Sequence, residues 1–308
     1  MIINKKDEEK LNYIQTPIEI YENLSYSKYL SEHYSNKFLE DMSMHLSISL
    51  SLKNQNDCFF YVDTANLKLR SMLEYRTHSF LRYDFDKLLS NNLISLITCG
   101  EGYALVNLGF DSKHVLKAID FQNINYLYSF SLCNYVYFIT RKYSGKYKLV
   151  KIAKDNLIEF SLTEVGISKH FFVNVLDKLY DASKDDPINN FRGRDIDLKF
   201  IELQKKHDIE LLKSVGKSHW NIMNLSSRHF SEVYLSYSAY KLYSFRKIML
   251  GYLLKKYNEK LQKIGNAYDF QGMIEHNAII EITDEDLKKL LTGKMTCEQF
   301  CNKLYGKD

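Results

Sequence analysis

Arg76, Thr77, His78, Ser79 and Arg82 fall within one short stretch, at the start of an amphipathic segment. A helix that begins there points its unpaired N–H groups and the positive end of its dipole at whatever lies ahead. Arginine adds a planar fork that fits a phosphate or a guanine edge in two parallel bonds. Some ninety residues later Ser168, Lys169, His170 and Asn174 form a comparable set. Arg192 and Arg194 flank a glycine in Phe191-Arg-Gly-Arg194, a pattern that suits a loop tip. Arg246, Lys247, Lys255 and Lys256 belong to a basic stretch, 217–263, where nine Lys or Arg stand against two Glu for a net +7. Tyr234, Tyr237, Tyr240 and Tyr243 recur at threes among them. Cations interleaved with aromatics can line a nucleic-acid path. A tyrosine stripe on a long helix also packs well, and packing is the reading preferred for these four. Most exposed charges are plain solvated surface.

Other chemistries find weaker support. Gly100-Glu-Gly102 lacks the third glycine of a dinucleotide fingerprint, because position 105 is Leu, and strand formers follow it instead of a helix. Neither Gly216-Lys217-Ser218 nor Gly293-Lys294-Met295 has the upstream glycine of a phosphate-binding loop. Cys297 and Cys301 stand one helical turn apart, which suits packing better than a four-ligand zinc site. The nine histidines form no His-x-His or His-Glu-x-x-His pattern. The expectation is a protein that binds without catalysis, metal or cofactor.

The chain has 308 residues, 45% hydrophobic and 26% charged, enough to bury a core and too apolar to be mainly disordered. Net charge is 42 − 38 = +4, mildly basic, so the placement of the charge matters more than its sum. No run of 18 apolar residues exists, MIINKKDEEK does not read as a signal peptide, and the five cysteines are odd in number. A cytoplasmic setting without membrane contact is expected. The bias toward Tyr, Asn, Lys, Ile and Ser suggests an AT-rich genome, such as a plasmid, a phage or a low-GC bacterium.

The elements that must position these side chains follow from periodicity. Apolar residues from Ser35 to Lys53 recur at threes and fours and predict a helix. Cys58–Val62 reads as a short strand, and Thr64 as the cap of a helix over Leu67–Leu73. A second helix carries Phe80, Leu81, Phe85, Leu88 and Leu89 and is expected to stop at Asn91 and Asn92. Leu93–Ile97 and Tyr103–Leu108 then predict a hairpin with its tip at Gly100–Gly102. Tyr135–Thr140 and Tyr147–Ile152 are a strand pair, or a helix followed by a strand. The C-terminal third reads as helical over about 196–215, along Ser231 to Ile264, and in two short helices starting at Thr283 and Thr296. Thr296-Cys-Glu-Gln299 has the form of a capping box.

The spacing hints at duplication. Asn66 to Asp86 spans 86 − 66 = 20 positions and Asn156 to Asp177 spans 177 − 156 = 21, each run ending in Asp-Lys-Leu. With Gly166 at a turn and Ser168 as a cap, 155–182 predicts a second helix-turn-helix matching 64–91.

The order helix, strand, helix, turn, helix, hairpin over 36–110 resembles a winged helix. The pair of phrases at 64–92 and 155–182 resembles the tandem winged helices of theta-plasmid and phage replication initiators, over 36–195. The resemblance implies duplex DNA as partner, two recognition helices in successive major grooves, and dimer–monomer exchange, hence a homodimer. The helical C-terminal third is a departure from that family's core. The expected layout is α+β, mainly helical: an arm over 1–35, winged helices over 36–112 and 113–195, and a helical region over 196–308. A transcriptional regulator of the same fold is one alternative. A phage structural or assembly protein is another, favoured by the strand-like runs between Tyr103 and Leu162.

Overall fold

The computed structural model describes residues 11–13, 29, 31–43, 59–63, 66–141, 146–184, 206, 231–276 and 282–305. The fold is α+β. Helix α1 (His33–Ser43) buries Tyr34, Phe38, Leu39 and Met42 on one stripe. After strand β2 (Phe60–Val62) and helix α2 (Leu67–Leu73), a wide π turn at Phe80–Asp84 runs into helix α3 (Phe85–Cys99). Phe85, Leu88, Leu89, Leu93, Leu96 and Ile97 keep helical spacing and are all buried, which carries α3 well beyond Asn92.

Strands β3 (Glu101–Phe110) and β4 (Leu116–Asn123) form an antiparallel hairpin. The other edge of β3 pairs with β8 (Leu157–Ser161) along its first half and with β1 (Asn12–Tyr13) at its end. Between β4 and β8 the chain makes a three-stranded antiparallel meander, β5 (Tyr128–Leu132), β6 (Tyr135–Arg141) and β7 (Tyr147–Ala153). Helix α4 (Phe171–Lys184) then packs on α1, with Phe172 against Phe38 at 6.2 Å between ring centres.

Helix α5 (Glu232–Tyr268) has 37 residues, about 55 Å at 1.5 Å per residue. Its C-terminal half sends Met249, Leu250, Leu253, Tyr257, Leu261 and Ile264 into the main core. Its N-terminal half holds Tyr240 and Tyr243 against helices α6 (Asp284–Leu291) and α7 (Cys297–Tyr305). Tyr257 sits at the centre of the main core, with the rings of Phe121, Phe85 and Phe160 at 4.9, 5.2 and 5.7 Å. Beyond α5, strand β9 (Ile274–His276) returns to pair with β2. The main core therefore draws on residues from Tyr29 to Ile274 and crosses every expected domain boundary.

Several expectations need correction. Leu93–Ile97 is helix, because Leu93, Leu96 and Ile97 continue the buried face of α3 and the buried Asn92 side-chain amide donates to the Tyr257 hydroxyl at 2.6 Å. Gly100, at φ +76°, caps α3 instead of turning a hairpin. The hairpin lies one strand later, with its turn over 111–115 held by Asp111, whose carboxylate accepts from the Lys113 and Val115 amides. Residues 155–165 are not a helix: β8 follows a short 3-10 turn and precedes another. A strand is favoured there because β3 offers a free edge that Leu157, Ile158 and Phe160 can bury against. The segment thus does not repeat 64–91, and the described residues of 113–195 contain no helix-turn-helix. The Thr64 cap, Arg192, Arg194 and most of the helix at 196–215 lie outside the described residues. No helix among the described residues is long and apolar enough to cross a membrane.

Candidate nucleic-acid interface

The structure gathers Arg76, Thr77, His78 and Ser79 into the turn before α3, with Arg82 on the π turn. Their electrostatics are nearly spent. Arg76 Nε donates to the Tyr13 hydroxyl at 2.8 Å, lies 3.1 Å from Asp120 Oδ2, and the guanidinium covers the Tyr13 ring at 4.4 Å. Burial raises the Asp120 carboxyl above its ordinary range, and the Arg76 charge opposes that rise. Thr77 donates to Asp84, and Arg82 lies 5.3 Å from the centre of the Tyr83 ring. His78 is exposed.

The second set, Ser168, Lys169, His170 and Asn174, borders the N-terminus of α4. Lys169 donates to Glu101 at 2.8 Å, and its backbone and stem lie where a Cβ on Gly100 would have to be. The Asp120 partner on β3 is Asn107, six residues from Glu101, or about 20 Å along the strand. The two sets are therefore anchored at separate places on one sheet. On α5, Lys255 pairs with Glu259 at 3.8 Å and Lys256 with Glu164 at 2.7 Å, whereas Lys247 is exposed and Arg246 half-buried. Tyr240 and Tyr243 are buried, as packing requires, whereas Tyr237 is half-buried and Tyr234 exposed. Cys297 packs against the C-terminal cluster, and the Cys301 sulfur lies 3.6 Å from the Ser236 hydroxyl.

Next to Lys256 is an open cleft of about 190 Å³ lined by Lys154, Lys256, Lys260 and Lys263 together with Asp155, Glu159 and Glu259. Lys260 donates to the Asp155 carbonyl oxygen, and burial lowers its pKa. The interleaved carboxylates leave this cleft close to neutral.

The meander is built differently. Its inner face buries Val136, Phe138 and Ile152 against Leu105, Ile124, Tyr126 and Leu157, which clamps it to the β3–β8 sheet. An antiparallel sheet with one wet face ordinarily carries polar residues there. Here the outward positions are Tyr128, Phe130 and Leu132 on β5, Tyr135, Tyr137 and Ile139 on β6, and Tyr147, Leu149 and Lys151 on β7. Cross-strand register sets Phe130 beside Tyr137 and Tyr137 beside Lys151. The Phe130 and Tyr137 rings are parallel within 5° at 5.0 Å, and Lys151 Nζ sits 3.9 Å from the centre of the Tyr135 ring. Tyr128 and Tyr147 are 61% and 68% exposed, too wet to be core.

Lys146, Lys148, Lys151 and Lys154 are all exposed on or beside β7, with Lys151 on the outward face, Lys148 at the opposite parity of this edge strand and Lys154 where the strand meets the cleft. Positions 121–154 hold six Lys or Arg and no Asp or Glu. That count is legible in the sequence, where it is smaller than the net excess of +7 at 217–263. No protein-family model matches this chain, and no curated protein sequence matches it.

Proposed function

We propose that this protein binds nucleic acid, without catalysis, on the outer face of the β5–β6–β7 meander. One observation carries the reading: aromatic rings and Lys151 share a wet sheet face, on a stretch of chain that has no carboxylate and carries three more exposed lysines at its β7 edge. Phosphates supply most of the affinity in such an interface, and rings add contacts that every base can meet. The test is fluorescence anisotropy of labelled DNA and RNA between 50 and 200 mM salt. Replacing Lys146, Lys148, Lys151 and Lys154 with Gln should weaken binding and flatten the salt dependence. Each lost phosphate contact should remove about 0.7–0.9 from the log–log slope. Binding that keeps its strength and slope in the fourfold variant would overturn the reading.

A second reading keeps duplex DNA as the partner and α2, the turn and α3 as a helix-turn-helix, with β3–β4 as a wing. The order of these elements and the exposure of Thr77 and His78 favour it. On that reading the protein is a replication initiator or a transcriptional regulator, and Arg82 reads a base. Arg82→Ala should then cost about 1–3 kcal/mol at a specific duplex site. A uniform loss across sequences would remove Arg82 from base reading.

A further inference from the structure

We infer that the ligand of the meander face is a single strand with its bases unstacked, an inference that rests on the nucleic-acid reading of this face. Shape argues first. A major groove about 12 Å wide admits a helix or a two-stranded ribbon. The aromatic face spans three hydrogen-bonded strands, and its rings lie on all three: Tyr128 and Phe130, Tyr135 and Tyr137, and Tyr147. Such a face is too broad to enter the groove and can only lie flat against its ligand.

Ring chemistry argues second. In a duplex each base is covered by neighbours about 3.4 Å away, so a flat ring finds no partner there until a base leaves the stack. The Phe130–Tyr137 pair is parallel and Phe130 is 40% exposed, so its stack can be extended by one more planar ring. Outward residues on one strand repeat at about 6.8 Å, twice the rise per residue, which separates successive rings by more than a stacked pair of bases. Bases held at this spacing are splayed. Lys151, resting on Tyr135, places its ammonium beside the ring pair, where the backbone of a splayed strand carries its phosphates. Ring stacking is open to every base, so binding tolerates many sequences.

The test uses the full chain with fluorescein-labelled oligothymidylate and oligouridylate of 20 nucleotides and a 20-base-pair duplex, at one salt concentration. Both single strands should bind at least tenfold tighter than the duplex. Phe130→Leu with Tyr137→Leu keeps apolar volume and removes the rings, and it should weaken single-strand binding about tenfold or more. Tyr128→Ala, at an exposed position, provides a second variant that does not depend on refolding of the ring pair and should weaken it several-fold. Oligouridylate well above oligothymidylate would make RNA the source of the strand; the reverse would make it DNA. Equal binding of duplex and single strand, both lost in the fourfold lysine variant, would overturn this inference and leave the nucleic-acid reading standing. Single-strand binding unchanged in the ring variants would also overturn it. Binding of no nucleic acid at all, with self-association through the face by light scattering, would overturn both.

Discussion

Two antiparallel sheets lie side by side in this protein and treat their charges in opposite ways. In the β3–β4–β8 sheet both faces are covered, and six consecutive residues of β3, Ala104 to Gly109, are buried. The cations around it are matched one by one: Arg76 with Asp120, Lys117 with Asp111, Lys169 with Glu101. The meander shares one buried face with that sheet and leaves its other face to solvent with aromatic rings on it. Its chain segment has no carboxylate with which to match its lysines. Matched charges hold elements in place and have little left for a ligand. Unmatched cations beside exposed rings contribute little to folding and are what a polyanion can use.

The contrast can be broken most forcefully at the covered sheet. Tyr257→Ala removes the ring at the centre of the core, and it should cost about 3–5 kcal/mol in urea denaturation. If it cost no more than Tyr128→Ala, the distinction between a packed sheet and a presenting one would fail. At the entrance to β3, Gly100 combines φ +76° with the Lys169 carbonyl oxygen standing where a Cβ would have to be. Gly100→Ala should therefore cost about 2 kcal/mol or more, read as a lower denaturation midpoint.

Lysines sharpen the comparison further. Lys303 pairs at 2.8 Å with Asp286, whose side chain is only 5% exposed. Burial alone would raise the Asp286 carboxyl, but Lys303 and the Thr283 amide and hydroxyl outweigh it and bring the pKa down from 3.8 to about 2. A depressed carboxyl stabilises the fold above its ordinary range. That contribution, about 2 kcal/mol, fades as pH falls from about 4 through 2. Asp286→Asn should remove it at neutral pH and flatten the acid limb of a stability profile. Lys151→Gln, by contrast, should change stability by less than about 0.5 kcal/mol while weakening nucleic-acid binding. The smallest expected effect is Tyr128→Ala on stability, also within about 0.5 kcal/mol, alongside its several-fold loss of single-strand binding.

Local chemistry was legible in the sequence; pairing across the chain was not. Thr296 and Gln299 close their capping box as the spacing predicts, with each backbone amide donating to the other's side chain. Tyr240 and Tyr243 pack, and Phe80 to Leu89 form the buried face of a helix start. Gly100 was ambiguous because a hairpin tip and a helix end make the same demand for positive φ. Only the buried contacts of Leu93 and Ile97 decide between them. Leu157–Ser161 was ambiguous because a short apolar run fits either a helix or a strand, and the edge of β3 that selects strand lies 52 to 60 residues upstream. The ion pairs at the expected site were illegible for a similar reason. Arg76 and Lys169 stand at the turns where cations were anticipated, and their partners Asp120 and Glu101 are distant in sequence. The outer face of the meander is not legible in the sequence because Tyr135 to Ile139 is apolar at every position, which reads as a buried strand, whereas the fold buries alternate residues only.

Hydrogen–deuterium exchange of the full chain, with and without oligothymidylate of 20 nucleotides, tests the central claim most directly. The account predicts ligand-dependent protection over 128–153, with 76–87 and 168–174 unchanged. Protection at 76–87 and 168–174, with the meander unchanged, would contradict it.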